Sequence, residues 1–515
     1  MVTPSSSVQL DPAALLARVR QLESQLKLSE VRCARAEYKL QDLLRRIHGP
    51  KNEKISPAQW ALFGLPEAAA AALVRGTAKA ASTASTKPKK RGGRRAAPQD
   101  LPVHREVIDL PEEQKAGLVK IRDEITEQIE YRPSLFFRRQ IIRPVYASRE
   151  RAHAPIVAAL PAQVIPQAGV GPGFLTHIVI AKYLDHIPLH RQERIDARGG
   201  VWITRQARCR YVEHVAHLLI TIYQYLKRKI LDSGYVQLDE TFTKLLDRDR
   251  GGKAWDAYLW GYHAPHEKAL VLEFSPSRSG EILHRFFPRN WGGQVQTDGA
   301  KMYPGVFKHY PGVVQFECIG HLRRYVLEAV KAHEMQAVPL LKDITELYAI
   351  EQQATDLGLS HAQRGAWRHA KSKPVLKRLQ RRFRALEREA PLFGKLREAV
   401  TYANGRWRNL TRYARVDCGH ILIDQNAIER CFRPSKVGLR NYLFIGHPQA
   451  GWRSAVIYSV IGTCRLVGIN PEAYIRWVLP KLASATNKTA VDLLPHDYAS
   501  YTQISSSADL SSPLS

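Results

Sequence analysis

The apolar positions of the chain change period several times, and each change marks an element. Between residues 11 and 48 they fall on a heptad. Leu15, Val19, Leu22 and Leu26 lead it, Ser29, Cys33 and Ala36 fill a small-residue middle, and Leu40, Leu43 and Ile47 close it. Asp11-Pro12 suits the start of a helix and Gly49-Pro50 stops it. The pattern predicts a coiled-coil helix over residues 1–50 that pairs chains, or an amphipathic helix docked on its own protein.

Residues 51–100 read as a basic flexible linker, Ala-rich and then Ser/Thr/Lys-rich from residue 64 onward. Residues 101–160 form a small mixed module with short extended pieces at VIDLP and RRQIIRPVYAS. Helical periodicity then runs to about residue 230, broken at Gly199-Gly200, and residues 161–230 are assigned to DNA binding. The period next drops to two. YVQLDETF, DAYLWGYH, KALVLEF and VQTDG predict strands, with GEILHRFF as a helix among them. Helix returns over about 320–416 and from about 424 to 482, with a turn near GLRNYLFIGH, before a Ser-rich tail over 503–515. The expectation is an α/β multidomain protein. Its core spans 231–446 with a helical insertion at about 320–416, and 447–515 form a C-terminal helical element and a tail.

Composition narrows the class. The chain has 515 residues, 44% of them hydrophobic, which is enough for packed cores and excludes a mainly disordered protein. No apolar run reaches the roughly 18 residues of a membrane span, so no membrane partner is expected. The N-terminal stretch lacks the basic start and apolar run of a secretory signal. Six cysteines never form a Cys-x-x-Cys pair, which argues against a disulfide scaffold or a Cys-rich zinc site and for a reducing cytoplasm.

Charge changes the picture most. The chain carries 77 Lys+Arg against 48 Asp+Glu, a formal net charge of +29. Such an excess predicts a polyanionic partner, nucleic acid first. In the linker, Lys87, Lys89, Lys90, Arg91, Arg94 and Arg95 stand in a nine-residue stretch without an acid. They lie along phosphates, or they only keep a tether solvated. The segment 320–416 holds 20 Lys/Arg against 9 Asp/Glu and is expected to be a DNA-binding lid or a solvated bundle.

Candidate chemistry lies in carboxylates at strand ends. Asp239 ends one strand-like run and Asp298 another, each followed by turn residues. An Asp before Gly is commonly a turn former. Two Asp on neighbouring strands, however, repel unless a cation lies between them, and such a pair suits Mg²⁺ or Mn²⁺. Glu240 alternates to the opposite face from Asp239, so at most one of the two serves the site. The segment IDQNAIER offers a third acid. As a helix it places Asn426, Glu429, Arg430 and Arg433 on one face and turns Ile428 and Phe432 elsewhere. An exposed Glu–Arg face is the bland alternative.

Several motifs in order resemble the insertion-sequence-66 family of DDE-type transposases. They are RRIHGPKNEKISPAQWALF, GPGFLTHIVIAKYLDHIPLHRQE, QLDET, YLWGY, FSPSRSGE, QTDGAKMYPG, GHLRR, IDQNAIERCFRPSKVGLRNYLFIG and a late LLP. The resemblance implies a ribonuclease-H-like core and makes Asp239, Asp298 and Glu429 the catalytic and metal-ligating triad for two Mg²⁺ (or Mn²⁺) ions. It implies cleavage at transposon ends and strand transfer into target DNA, by a homo-oligomer working with small accessory proteins of the same element. Its setting is the bacterial cytoplasm, at the nucleoid. His321 is either structural or, with Arg323 and Arg324, on the scissile phosphate. Lys436, Arg440 and Asn441 are expected to hold DNA. A non-catalytic DNA-binding derivative and a metal-dependent nuclease are the alternatives. The chain departs from the family between 101 and 160, where many members carry two Cys-x-x-Cys pairs and this chain has no cysteine, so no zinc is expected.

Overall fold

The computed structural model describes residues 168–246, 251–388, 394–485 and 489–498, with short pieces before residue 168. The basic stretch Lys87–Arg95 and the tail 503–515 lie outside the described residues, as does most of the module at 101–160. Within 18–36 the described residues are helical, and Val19, Leu22 and Leu26 are exposed. Two short antiparallel strands, β1 (Val145–Tyr146) and β2 (Ile156–Val157), mark the module.

The body is mixed α/β and mostly helical. Helices α1 (Pro172–Tyr183), α2 (Leu189–Arg198) and α3 (Arg205–Asp232) come first. Pro188 separates α1 from α2, and Thr204 caps α3 by accepting from the Ala207 N–H at 3.3 Å. Asp196 of α2 is buried and receives Arg208 of α3 at 2.7 Å, which ties the two helices.

A five-stranded sheet follows, built from β3 (Tyr235–Leu246), β4 (Ala254–Ala264), β5 (Ala269–Ser275), β6 (Gln294–Thr297) and β7 (Val314–Glu317). Helix α4 (Glu281–Phe286) precedes β6, and α5 (Met302–Phe307) links β6 to β7. The strand order is β5-β4-β3-β6-β7. The first three strands are antiparallel neighbours, while β3/β6 and β6/β7 are parallel.

Strand β3 runs four residues past the predicted stretch YVQLDETF, to Leu246, and Asp239 lies inside it rather than at its tip. The cause is tertiary: β4 pairs with β3 from Gln237↔His263 through Leu246↔Ala254 and holds Thr243–Leu246 extended.

Alternation along β3 serves two cores. Val236 and Leu238 join the apolar cluster of α1, α3, α12 (Pro448–Val467) and α13 (Pro471–Leu482). Tyr235, on the other face, joins Phe316 and the cluster of α6 (Ile319–Lys331), α7 (Val338–Asp356), α8 (His361–Arg388) and α9 (Lys395–Thr411). Helix α12 closes the outer edge of the sheet. Ser459 Oγ accepts from the Leu272 N–H at 2.8 Å and Thr463 Oγ1 from the Leu270 N–H at 3.1 Å, so β5 offers no free ladder there. Inside the insertion, Arg368 is buried and donates to both oxygens of Glu351, at 2.6 and 2.7 Å, and to the carbonyls of Tyr413 and Cys418. That knot fastens α8 to the chain leading into α10 (Asn426–Cys431) and α11 (Arg433–Tyr442).

Candidate active site

Asp239, Asp298 and Glu429 reach one region by three routes. Asp239 rises from the middle of β3, Asp298 follows the last residue of β6, and Glu429 stands on α10. Two glutamines set this arrangement. Each strand reads Gln-x-Asp, so Gln237 and Gln296 share a face with the acids. Gln237 Nε2 donates to Gln296 Oε1 at 2.8 Å and to the Asp424 carbonyl at 2.9 Å. Gln296 Nε2 donates to the Leu422 carbonyl at 2.7 Å, and the Tyr235 hydroxyl donates to Gln296 Oε1 at 2.6 Å. This buried network pins segment 422–424 across β3 and β6, directly before the helix that carries Glu429. The repeated Gln-x-Asp was visible in the sequence, but its meaning was not.

Gly261 completes the placement. It pairs with Asp239 across β3 and β4. A Cβ there would lie 2.6 Å from Phe432 Cζ and 3.1 Å from Ile428 Cδ1. Absence of a side chain lets the apolar face of α10 sit directly on the sheet beside Asp239.

Asp298 is held from the insertion. The Tyr402 hydroxyl donates to the Asp298 carbonyl at 2.8 Å, and Arg406 Nε to the Gly299 carbonyl at 2.8 Å. The Asp298 carboxylate accepts from the Ala300 N–H at 2.8 Å. Gly299 has φ 79°, a left-handed conformation that glycine adopts without strain.

Electrostatics single out Asp239. Burial, and then the charges of Asp298, Glu240 and Glu429, push the Asp239 carboxyl well above the ordinary carboxylate range; the Glu240 N–H partly offsets this. Glu317, at the end of β7, is raised to about 7 by burial, and its Oε2 has no hydrogen-bond partner among the described residues. Glu240 turns away and is buried, accepting from Arg278 Nε at 2.8 Å and from the Tyr303 hydroxyl at 2.7 Å.

Glu429 differs from the aspartates because it has cationic neighbours. Arg324 Nη2 donates to its two oxygens at 3.2 and 3.0 Å, and His321 Nε2 lies 3.5 Å from Oε1. Burial and Arg324 lower the His321 pKa, against the pull of Glu429. Sequence reasoning aimed Arg324 at phosphate and left His321 between phosphate and a structural role; the structure brings both to Glu429. Asp424, a further acid nearby, is held by the Tyr348 hydroxyl at 2.9 Å and Asn426 Nδ2 at 2.7 Å.

The donor set fits a hard divalent cation in kind: carboxylate oxygens, with Asp239 electrostatically strained by Asp298. Among the described residues no three His, Cys, Asp or Glu side chains are close enough together to hold a metal as they stand. Glu429 is engaged by Arg324 and His321.

The remaining DNA candidates fall on two helices. Arg323 is on α6, half-buried. On α11, Lys436 donates to the Phe242 carbonyl at 2.8 Å and lies over its ring, Asn441 Nδ2 donates to the Val437 carbonyl at 3.2 Å, and Arg440 is exposed. Burial lowers Lys436 to about 8. No helix among the described residues is long and apolar enough to cross a membrane.

Comparison with known proteins defines the class as transposase. The model described as Transposase IS66 family matches residues 167–453, which contain all three acids and the insertion. A second, the IS66 C-terminal element, matches residues 459–496, and a third, Transposase C of IS166 homeodomain, matches 35–105. The chain belongs to the IS66 transposase family. It is similar to three uncharacterized proteins of Sinorhizobium fredii. The protein y4jD is 28% identical over 408 residues, 76% of this chain and 78% of the relative. The protein y4qI is 28% identical over 400 residues, covering 74% and 72%. The protein y4hP is 26% identical over 495 residues, covering 90% and 88%. Family membership implies DNA as the partner.

Proposed function

We propose that the chain is a DDE-type transposase with a ribonuclease-H-like core, in which Asp239, Asp298 and Glu429 hold two Mg²⁺ or Mn²⁺ ions. The observation that carries this reading is the buried Asp239 carboxyl beside Asp298 and Glu429, raised by its burial and by the neighbouring acidic charges. The strand order, with β3 antiparallel to β4 and parallel to β6, supports the core assignment.

When bound, the ions neutralise phosphate charge and lower the pKa of the attacking water. The chain's own groups position and hold. Tyr402 and Arg406 fix the backbone on either side of the Asp298–Gly299 peptide, and the Gln237–Gln296 pair fixes the approach to Glu429. Full assembly of the carboxylates requires Glu429 to give up its contact with Arg324. Water attacks the phosphodiester at the element end, the P–O3′ bond breaks, and a 3′-OH and a 5′-phosphate result. That 3′-OH gives its proton to solvent as its oxygen attacks a target phosphodiester and forms a new P–O bond; the target P–O3′ bond breaks, and the displaced 3′-oxygen takes up a proton from solvent. Arg323, Arg440, Asn441 and the Lys87–Arg95 stretch grip the backbone, while the N-terminal heptad pairs chains.

Purified full-length protein tests the reading with a duplex carrying the element's end. Asp239→Asn, Asp298→Asn and Glu429→Gln each abolish cleavage and strand transfer while retaining DNA affinity. A variant that cleaves at near the wild-type rate removes its residue from the triad.

A further inference from the structure

We propose that Phe242, Leu443 and Phe444 form an apolar platform at the outer half of β3 on which unpaired bases of DNA stack. The proposal rests on the reading that the chain acts on DNA and goes beyond it by naming a base-binding surface.

The argument begins with backbone strain. Helix α11 ends at Tyr442, and Leu443 follows at φ 67° and ψ −40°. The Phe444 N–H donates to the Tyr442 carbonyl at 2.8 Å, which closes a three-residue γ-turn of the rare, strained hand. Glycine takes that conformation without the steric cost of a side chain. Leucine is also not there to pack, because 63% of it is exposed. Its side chain thus serves neither the turn nor the core. Strain of this kind persists where the surroundings over-determine it, and it clusters at functional positions.

The surroundings do hold it. Next in the chain, the Ile445 N–H donates to the Lys244 carbonyl at 2.7 Å, and the Leu246 N–H donates to the Ile445 carbonyl at 2.8 Å. Ile445 is buried with Leu245 and Ala257. The turn is thereby clamped onto the outer half of β3.

This clamp presents a second exposed apolar side chain next to the leucine. Phe444 is 38% exposed, and Phe242, on the same half of β3, is 50% exposed. Lys436 underpins Phe242 by contact with its ring and carbonyl. Helix α11 carries Arg433, Lys436 and Arg440 and no acid, and the two arginines are exposed. Flat apolar surface with cations at its rim matches the two faces of a nucleotide: the base stacks and the phosphate pairs. A closed duplex shows proteins only the edges of its bases, so an unpaired nucleotide is the fitting occupant.

Phe242 is three residues beyond Asp239, about 10 Å along the strand, and alternation turns its side chain to the face of Glu240, away from Asp239. Helix α11 follows the helix of Glu429 after a single residue, Phe432. The platform therefore stands on the strand and helix pair that carry two of the three acids.

The test uses full-length protein, a duplex, and the same duplex with a short unpaired stretch containing 2-aminopurine. Wild type is expected to prefer the unpaired DNA and quench its fluorescence. A Leu443→Ser/Phe444→Ser double variant is expected to lose roughly ten-fold in affinity for unpaired DNA, with duplex affinity and salt slope unchanged. Leu443→Gly is expected to melt at a higher temperature, because the turn relaxes, yet to lose part of the preference. A loss equal on both DNAs, or no loss in either variant, overturns the proposal. So does a fall in oligomeric mass by light scattering in the double variant, which would assign the face to a second copy of the chain. Failure of wild type to bind any duplex is a separate result and defeats the transposase reading itself.

Discussion

Gly261→Ala is a one-carbon change whose effect follows from the packing of α10. The new Cβ would stand 2.6 Å from Phe432 Cζ and 3.1 Å from Ile428 Cδ1. Comfortable carbon–carbon contact begins at about 3.5 Å, so the Phe432 ring must retreat by about 1 Å. Phe432 joins α10 to α11, and Ile428 is the neighbour of Glu429. The movement therefore carries the candidate ligand away from Asp239. Overpacking of this size costs about 1–3 kcal/mol of stability, and a 1 Å misplacement at a reacting centre costs on the order of 10²-fold in rate. Guanidinium melts read the first effect, and single-turnover cleavage of an end-bearing duplex reads the second, while DNA affinity stays at the wild-type value. Phe432→Leu shortens the ring's reach and is expected to return much of the cleavage rate in the Gly261→Ala background. Wild-type cleavage by Gly261→Ala, or a defect that Phe432→Leu leaves untouched, refutes the reasoning.

Two further outcomes follow from the charges around the site. Arg324→Gln frees Glu429 and is expected to tighten Mn²⁺ binding several-fold in the absence of DNA; calorimetry showing equal or weaker binding contradicts the idea that Arg324 withholds the third carboxylate. Glu317 has its pKa raised from 4.5 to about 7 in the folded protein, so its neutral form is the favoured one. Its contribution to stability is complete below pH 4.5 and is lost as pH rises through about 7. At 1.36 kcal/mol per unit the shift corresponds to about 3 kcal/mol, and the permanently neutral Glu317→Gln is expected to gain on wild type between pH 5 and 8. Thermal melts with a constant difference across that range would refute this.

Much of the architecture was written in local pattern. The strand at Asp298, the helices around Gly199-Gly200 and the basic helical run between Asp298 and Glu429 all have the periodicity the structure shows. Alternation also separated Asp239 from Glu240, and the structure brings Glu240 to Arg278 and Tyr303 on the other side of the strand. What local pattern missed depends on distant partners. Thr243–Leu246 lie beyond the strand that the pattern predicted, and pairing with β4 carries the strand through them. Arg324 and Glu429 are 105 residues apart, so no spacing rule joins them. The same holds for Tyr402 and Arg406 on Asp298–Gly299, and for Gly261, whose bareness matters only because α10 lands on it.

The central claim is that Asp298 binds a catalytic divalent ion, and Asp298→Cys tests it most directly. A thiolate is a poor ligand for Mg²⁺ and a better one for the softer Mn²⁺. Single-turnover cleavage by this variant is predicted to be absent in Mg²⁺ and to recover substantially in Mn²⁺, whereas Asp298→Asn stays inactive in both. Wild-type cleavage by Asp298→Cys in Mg²⁺, or no recovery in Mn²⁺ by a variant that still binds DNA, would contradict the account.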